Sequence, residues 1–280
     1  IVQIDSGADF IEAFTVLIKR LAVDRLHIVG DFFDRGNRPD AILNLLMEHP
    51  SVDIQWGNHD VLWMGAAMGS ETCIAAVVRN SLRYNNTDVL ERGYGISLRP
   101  LSIFAGHIYP DEQPIKAAER AITMMMFKLE GQLIRRNPDF QMDSRLLLDK
   151  LDFRSSYAVL GDGKRYELES AYFPTIDEHT SDPYQLTPKE QEIIDDLKSY
   201  FVESTVLQQH VEYLYQKGSL YTRYNGNLLF HGCVLLNEDG SLRTISYHGS
   251  KYKGREWFDF CDRMARQAWL HGVPEALDFM

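Results

Sequence analysis

The stretch His27–Asp40, HIVGDFFDRGNRPD, decides how this chain is read. A short apolar run, RLHIVG, enters it and is stopped by Gly30, the pattern of a buried strand. RPDAILNLLMEHP leaves it as a helix, with Pro39 near the start and Pro50 beyond the end. Between the two lie Asp31, Asp34 and Arg35. Downstream, VDIQWG reads as a second strand stopped by Gly57, and Asn58, His59 and Asp60 follow. Upstream, residues 7–22 place Phe10, Phe14, Leu17 and Leu21 at helical spacing. Residues 1–60 therefore read α-β-α-β, with polar clusters at the C-terminal ends of strands, where open α/β sheets hold their ligands.

These residue types suit phosphate chemistry. A carboxylate at a strand end, backed by glycine, approaches a cation without steric hindrance, and Asp31 has two oxygens with which to bridge two ions. Asp34, three residues on, is better placed to orient a neighbour. Arg35 offers a bidentate fork that matches phosphate. Asn58 supplies a neutral carbonyl oxygen to a metal. His59 can protonate a leaving alkoxide, with a carboxylate such as Asp34 holding its tautomer. Either motif alone also reads as a polar loop with a surface ion pair; the two together at this spacing are far more specific.

GDFFDRG followed by GNHD resembles the calcineurin-like metallophosphoesterases, whose fold is a β-sandwich flanked by helices around two metal ions. The resemblance implies Asp31 as the bridging ligand, Asn58 as a further ligand, Arg35 as the phosphate contact, and His59 as general acid steadied by Asp34. A strand ending in His-Gly is another element of that family; LLFHGCVLL matches it and makes His231 a metal ligand. In such sites the ions stabilise both the attacking and the leaving oxygen. Within the superfamily, 172 positions separate His59 from His231, far more than in compact protein phosphatases. GSETCIAAVVRNSLRYNNTDVLERGYGISLRPL, DEHTSDPYQLTPKEQEIIDDL and YNGNLLFHGCVLLNEDGS resemble the class III fructose-1,6-bisphosphatases of bacteria. That resemblance implies removal of the 1-phosphate of fructose 1,6-bisphosphate, two Mn2+ ions in the complete protein, and a gluconeogenic role. Alternatives are a phosphoprotein or dinucleotide phosphatase, or a non-catalytic regulatory module.

The expected fold is α/β, with residues 1–62 and 226–280 forming a partial metallophosphoesterase core and residues 63–225 a mostly helical insertion. VLWMGAAMGSETCIAAVVRNSLRY reads as apolar and helical, and PIKAAERAITMMMFKLEGQLIRR and TPKEQEIIDDLKSYFVESTVLQQHVEYLYQKG as two further long helical patterns. NEDGS reads as a hairpin turn, and Arg255–His271 as the last helix. Met124–Met126 are expected to fill core, and Cys233 to be a buried thiol.

The 280 residues carry a formal net charge of −11, which argues against a nucleic-acid binder. Three scattered cysteines fit a reducing, cytoplasmic compartment, and no apolar run is long enough to span a membrane. Arg79, Arg83, Arg223, Lys251, Lys253 and Arg255 are candidates for a second phosphate, each more readily a solvated charge. Two family elements have no counterpart. No Asp-x-His-Gly precedes Asp31, and no Gly-His follows His231: His248 and His271 lack the glycine, and Gly106-His107 comes too early. Asp31, Asn58 and His231 then serve one ion and only Asp31 the other. The chain is expected to be an internal segment that alone binds one ion or none and hydrolyses little.

Overall fold

The computed structural model describes residues 7–152, 156–160, 163–170, 172–176 and 182–280. It is mixed α/β and mostly helical, with several small sheets. Helix α1 spans Ala8–Ala22, β1 Leu26–Ile28, α2 Pro39–Met47 and β2 Val52–Gln55. The α-β-α-β expectation holds. β1 and β2 pair in parallel, Leu26 opposite Val52 and Ile28 opposite Ile54, with α2 as the connection that a parallel pair requires. The apolar stripe of α1 is not covered: Phe10, Phe14, Leu17 and Leu21 are all exposed.

The first long apolar stretch is two helices, α3 (Asn58–Ala67) and α4 (Glu71–Arg83). Gly69 takes φ 86°, which ends the first helix, and Ser70 caps the second by accepting from the Cys73 N–H. Helices α5 (Arg99–Ile108) and α6 (Pro114–Arg136) follow, then strands β3 (Leu151–Asp152), β4 (Tyr157–Val159) and β5 (Arg165–Glu167) in a small antiparallel sheet. The third helical stretch is also divided, into α7 (Pro188–Glu203) and α8 (Thr205–Lys217), because Ser204 leaves helical geometry and caps α8 through the Leu207 N–H. Met124–Met126 are buried, as expected for core filler.

Strand β6 (Gly218–Ser219), at the tail of the expected insertion, pairs in parallel with β2, so the central sheet runs β1-β2-β6. Strands β7 (Tyr221–Tyr224) and β8 (Asn227–Phe230) form a hairpin, and β9 (Thr244–Tyr247) and β10 (Ser250–Lys253) a second; α9 (Arg255–His271) and α10 (Pro274–Phe279) close the order. NEDGS turns between the bridged pair Leu236 and Leu242. One apolar core runs from Phe33 and Leu43 through Trp63, Ile74, Leu101 and Met125 to Phe201 and Leu214. The flanks of the GDFFDRG loop and the long helices thus share one interior. Trp56 anchors the sheet: its indole N–H donates to the Leu214 carbonyl at 2.9 Å.

A buried ion pair ties α6 to α7. Lys128 Nζ lies 2.7 Å from Glu190 Oε2 and donates to the Thr175 carbonyl at 2.8 Å. Glu190 also accepts the Thr187 N–H at 2.8 Å while Thr187 Oγ1 accepts the Glu190 N–H, a reciprocal cap at the start of α7.

Candidate metal and phosphate site

The GDFFDRG loop leaves β1 under backbone constraint. Gly30 takes φ 80° and Asp31, a non-glycine, φ 58°. Such conformations cost energy and persist only where surroundings impose them. Asp60 imposes this one. Fully buried, its Oδ2 accepts the N–H groups of Asp31 at 2.8 Å and Gly57 at 2.9 Å, and its Oδ1 accepts that of Phe32 at 2.9 Å. One carboxylate therefore staples the loop after β1 to the start of α3. Burial pushes its pKa up to about 6, against the pull of those N–H donors. Gly57 permits the close approach: a Cβ there would stand 2.0 Å from Asp31 Oδ1.

Asp31 and His231, 200 positions apart in the chain, meet: Oδ2 and Nε2 are 3.0 Å apart. His231 Nδ1 is 2.5 Å from the Val29 carbonyl, an acceptor only, so Nδ1 donates there and Nε2 faces the carboxylate. Two electron-rich atoms at that distance require a proton or a cation between them. The donor set, one carboxylate oxygen and one imidazole nitrogen, suits a borderline divalent ion. Asp31 Oδ1 accepts the His59 N–H at 3.1 Å, and Asn58, exposed, opens α3 beside it.

His59 Nε2 lies 3.1 Å from Asp34 Oδ1. That oxygen is shielded from solvent yet has no well-aligned hydrogen-bond donor. Asp31, Asp34 and His59 each offer a ligating atom within 4.8 Å of the others, a grouping that can itself hold a cation. Arg35 lies 3.5 Å from Asp34 Oδ1 through Nε, with its guanidinium 4.3 Å from the centroid of the Tyr84 ring. The loop thus carries two carboxylates and an exposed guanidinium, with the His59 imidazole facing it from the start of α3.

Every residue expected at the site falls on this loop, on the start of α3 or, for His231, at the end of β8. His248 lies elsewhere, with Nε2 3.2 Å from Asp139, and His107 is exposed on α5. Cys233 is exposed, contrary to the expected buried thiol; the chain after β8 runs over the surface instead of into the core. Arg223 and Arg255 line a cleft of about 570 Å³ with Arg263 and Arg266. Asp60 was missed as a working residue. Its signal was present: an acidic side chain three positions after Gly57, where it reaches the free N–H groups of a helix start.

A family model described as Firmicute fructose-1,6-bisphosphatase matches residues 1–280. The class 3 fructose-1,6-bisphosphatase 1 of Clostridium beijerinckii is 46% identical over 290 residues, covering 96% of this chain and 43% of that protein. The class 3 enzymes of Clostridioides difficile, at 46% over 289 residues, and Listeria innocua, at 45% over 290, are similar in the same way. The chain spans less than half the length of these curated relatives. No solved structure matches.

Proposed function

Because the chain belongs to the Firmicute fructose-1,6-bisphosphatase family, we propose that it serves the metal-dependent hydrolysis of a phosphomonoester, the 1-phosphate of fructose 1,6-bisphosphate. The observation that carries this reading is the Asp31–His231 pair, a carboxylate and an imidazole 3.0 Å apart that could share a divalent ion, beside the His59–Asp34 pair and Arg35. Asp31, Asn58 and His231 would hold the ion, with Mn2+ our choice among divalent metals. When bound, a divalent ion stabilises charge on the phosphoryl oxygens. Arg35 binds and orients the phosphoryl group through its fork. His59 donates a proton to the departing sugar oxygen, and Asp34, 3.1 Å from Nε2, fixes the orientation of the ring. Asp60 holds Asp31 in place throughout.

The finer architectural reading belongs to the same proposal: a metallophosphoesterase-like core from residues 1–62 and 226–280, with 63–225 as insertion, working in the cytoplasm in gluconeogenesis. The grouping of Asp31, Asp34 and His59 favours a second reading of roles, in which Asp34 and His59 ligate a metal.

The test is hydrolysis by the whole protein, with Mn2+, of fructose 1,6-bisphosphate against a phosphopeptide. Preference for the peptide overturns the sugar reading, and turnover of neither favours a non-catalytic module.

A further inference from the structure

Helix α4 ends beside the GDFFDRG loop. Tyr84, the residue that closes the helix, sets its ring against the Arg35 guanidinium at 4.3 Å. Two residues on, Asn86 Nδ2 donates to the Gly36 carbonyl at 3.2 Å. Asn85 between them takes φ 52°, a sharp turn that lets both neighbours meet the same loop. Asn86 also lines a narrow crevice with Asp34 and His59. Arg35 needs such support. Its side chain is 63% exposed, and its carboxylate contact is long at 3.5 Å. A long exposed side chain loses rotamer freedom when it grips a ligand, and that loss subtracts from affinity. A ring stacked on the guanidinium face restricts the side chain beforehand. It also leaves the N–H edge open for in-plane bonds to phosphoryl oxygens.

We propose that Tyr84, with Asn86 bracing the loop, is a positioning residue for Arg35 and sets the site's affinity for the phosphoryl group. The proposal rests on the reading of Arg35 as the phosphate contact. A stretch of the helical region would then tune substrate affinity without touching the reacting atoms.

The experiment uses the whole protein and two readouts: steady-state hydrolysis of fructose 1,6-bisphosphate and competitive inhibition by inorganic phosphate. A guanidinium–ring contact at this exposure corresponds to roughly a two- to fivefold change in affinity. Tyr84→Leu should raise KM and the phosphate inhibition constant about that much, with kcat unchanged, and Tyr84→Phe should restore both. Asn86→Ala should move them the same way. In an Arg35→Lys background, Tyr84→Leu should add nothing. The proposal is overturned if Tyr84→Leu lowers kcat at constant KM, or costs as much with Arg35→Lys as without it. If Arg35→Lys alone leaves phosphate inhibition unchanged, the reading of Arg35 itself fails and takes the proposal with it.

Discussion

Replacing Lys128 by methionine isolates the buried pair that joins α6 to α7. Only 1% of either side chain reaches solvent. Methionine keeps most of the apolar stem but removes the ammonium, leaving the Glu190 carboxylate in the core with Oε1 already lacking a hydrogen-bond partner. Breaking one side of a buried pair costs about 3–5 kcal/mol. Loss of the bond to the Thr175 carbonyl adds about 1 kcal/mol. At roughly 2.1 cal/mol/K of unfolding entropy per residue, a chain of this length moves about 1.7 °C in Tm per kcal/mol. The expected fall is therefore about 7–10 °C, read by circular dichroism melts. Adding Glu190→Gln removes the stranded charge while keeping a side-chain oxygen for the Thr187 N–H, so the double variant should regain at least half of the loss. A Lys128→Met variant within about 2 °C of the parent would refute the reasoning, as would a double variant as unstable as the single one.

His59→Asn should slow turnover by about 10²–10⁴-fold with metal content unchanged, whereas Asp31→Asn should lower metal content itself; equal loss of metal in both would favour His59 as a ligand. Gly57→Ala should displace Asp31 and weaken metal binding measured by titration calorimetry, because the new Cβ meets Asp31 Oδ1 at 2.0 Å. Gly106→Ala, with open space around it on α5, should instead stabilise the fold by about 0.5–1 kcal/mol. Burial lowers the pKa of His210, held between Tyr94 Oη and Asn44 Oδ1, against the smaller opposing pull of Asp40. Its contribution is thus present above the unfolded value near 6.5 and is lost as pH falls below it. His210→Gln should flatten the pH dependence of urea unfolding below about pH 6.5, and an unchanged slope would exclude that origin.

The first 60 residues were legible because strand, glycine, helix and proline signals coincide there at every boundary. The long helices were legible as helical, but not their interruptions. Gly69-Ser70 and Ser204 sit inside unbroken apolar periodicity, and a serine inside such a pattern looks the same whether it caps a helix or faces solvent. Asp31, Arg35 and His59 could be read from local chemistry. The meeting of Asp31 with His231 could not: no local force links positions 200 apart, and only resemblance to a family supplied it. Tyr84 and Asp60 were harder still. A tyrosine at a helix end and an aspartate at a helix start are ordinary residues until folding brings the GDFFDRG loop against them.

The contact between Asp31 and His231 also has a timetable. A ribosome adds roughly 5–20 residues per second, so Asp31 emerges about 10–40 s before the histidine that faces it. During that interval Asp60, which follows within a few seconds, already holds the strained loop, and Asn86 comes soon after. The nascent loop is therefore shaped before His231 joins it, from a hairpin made 200 positions later.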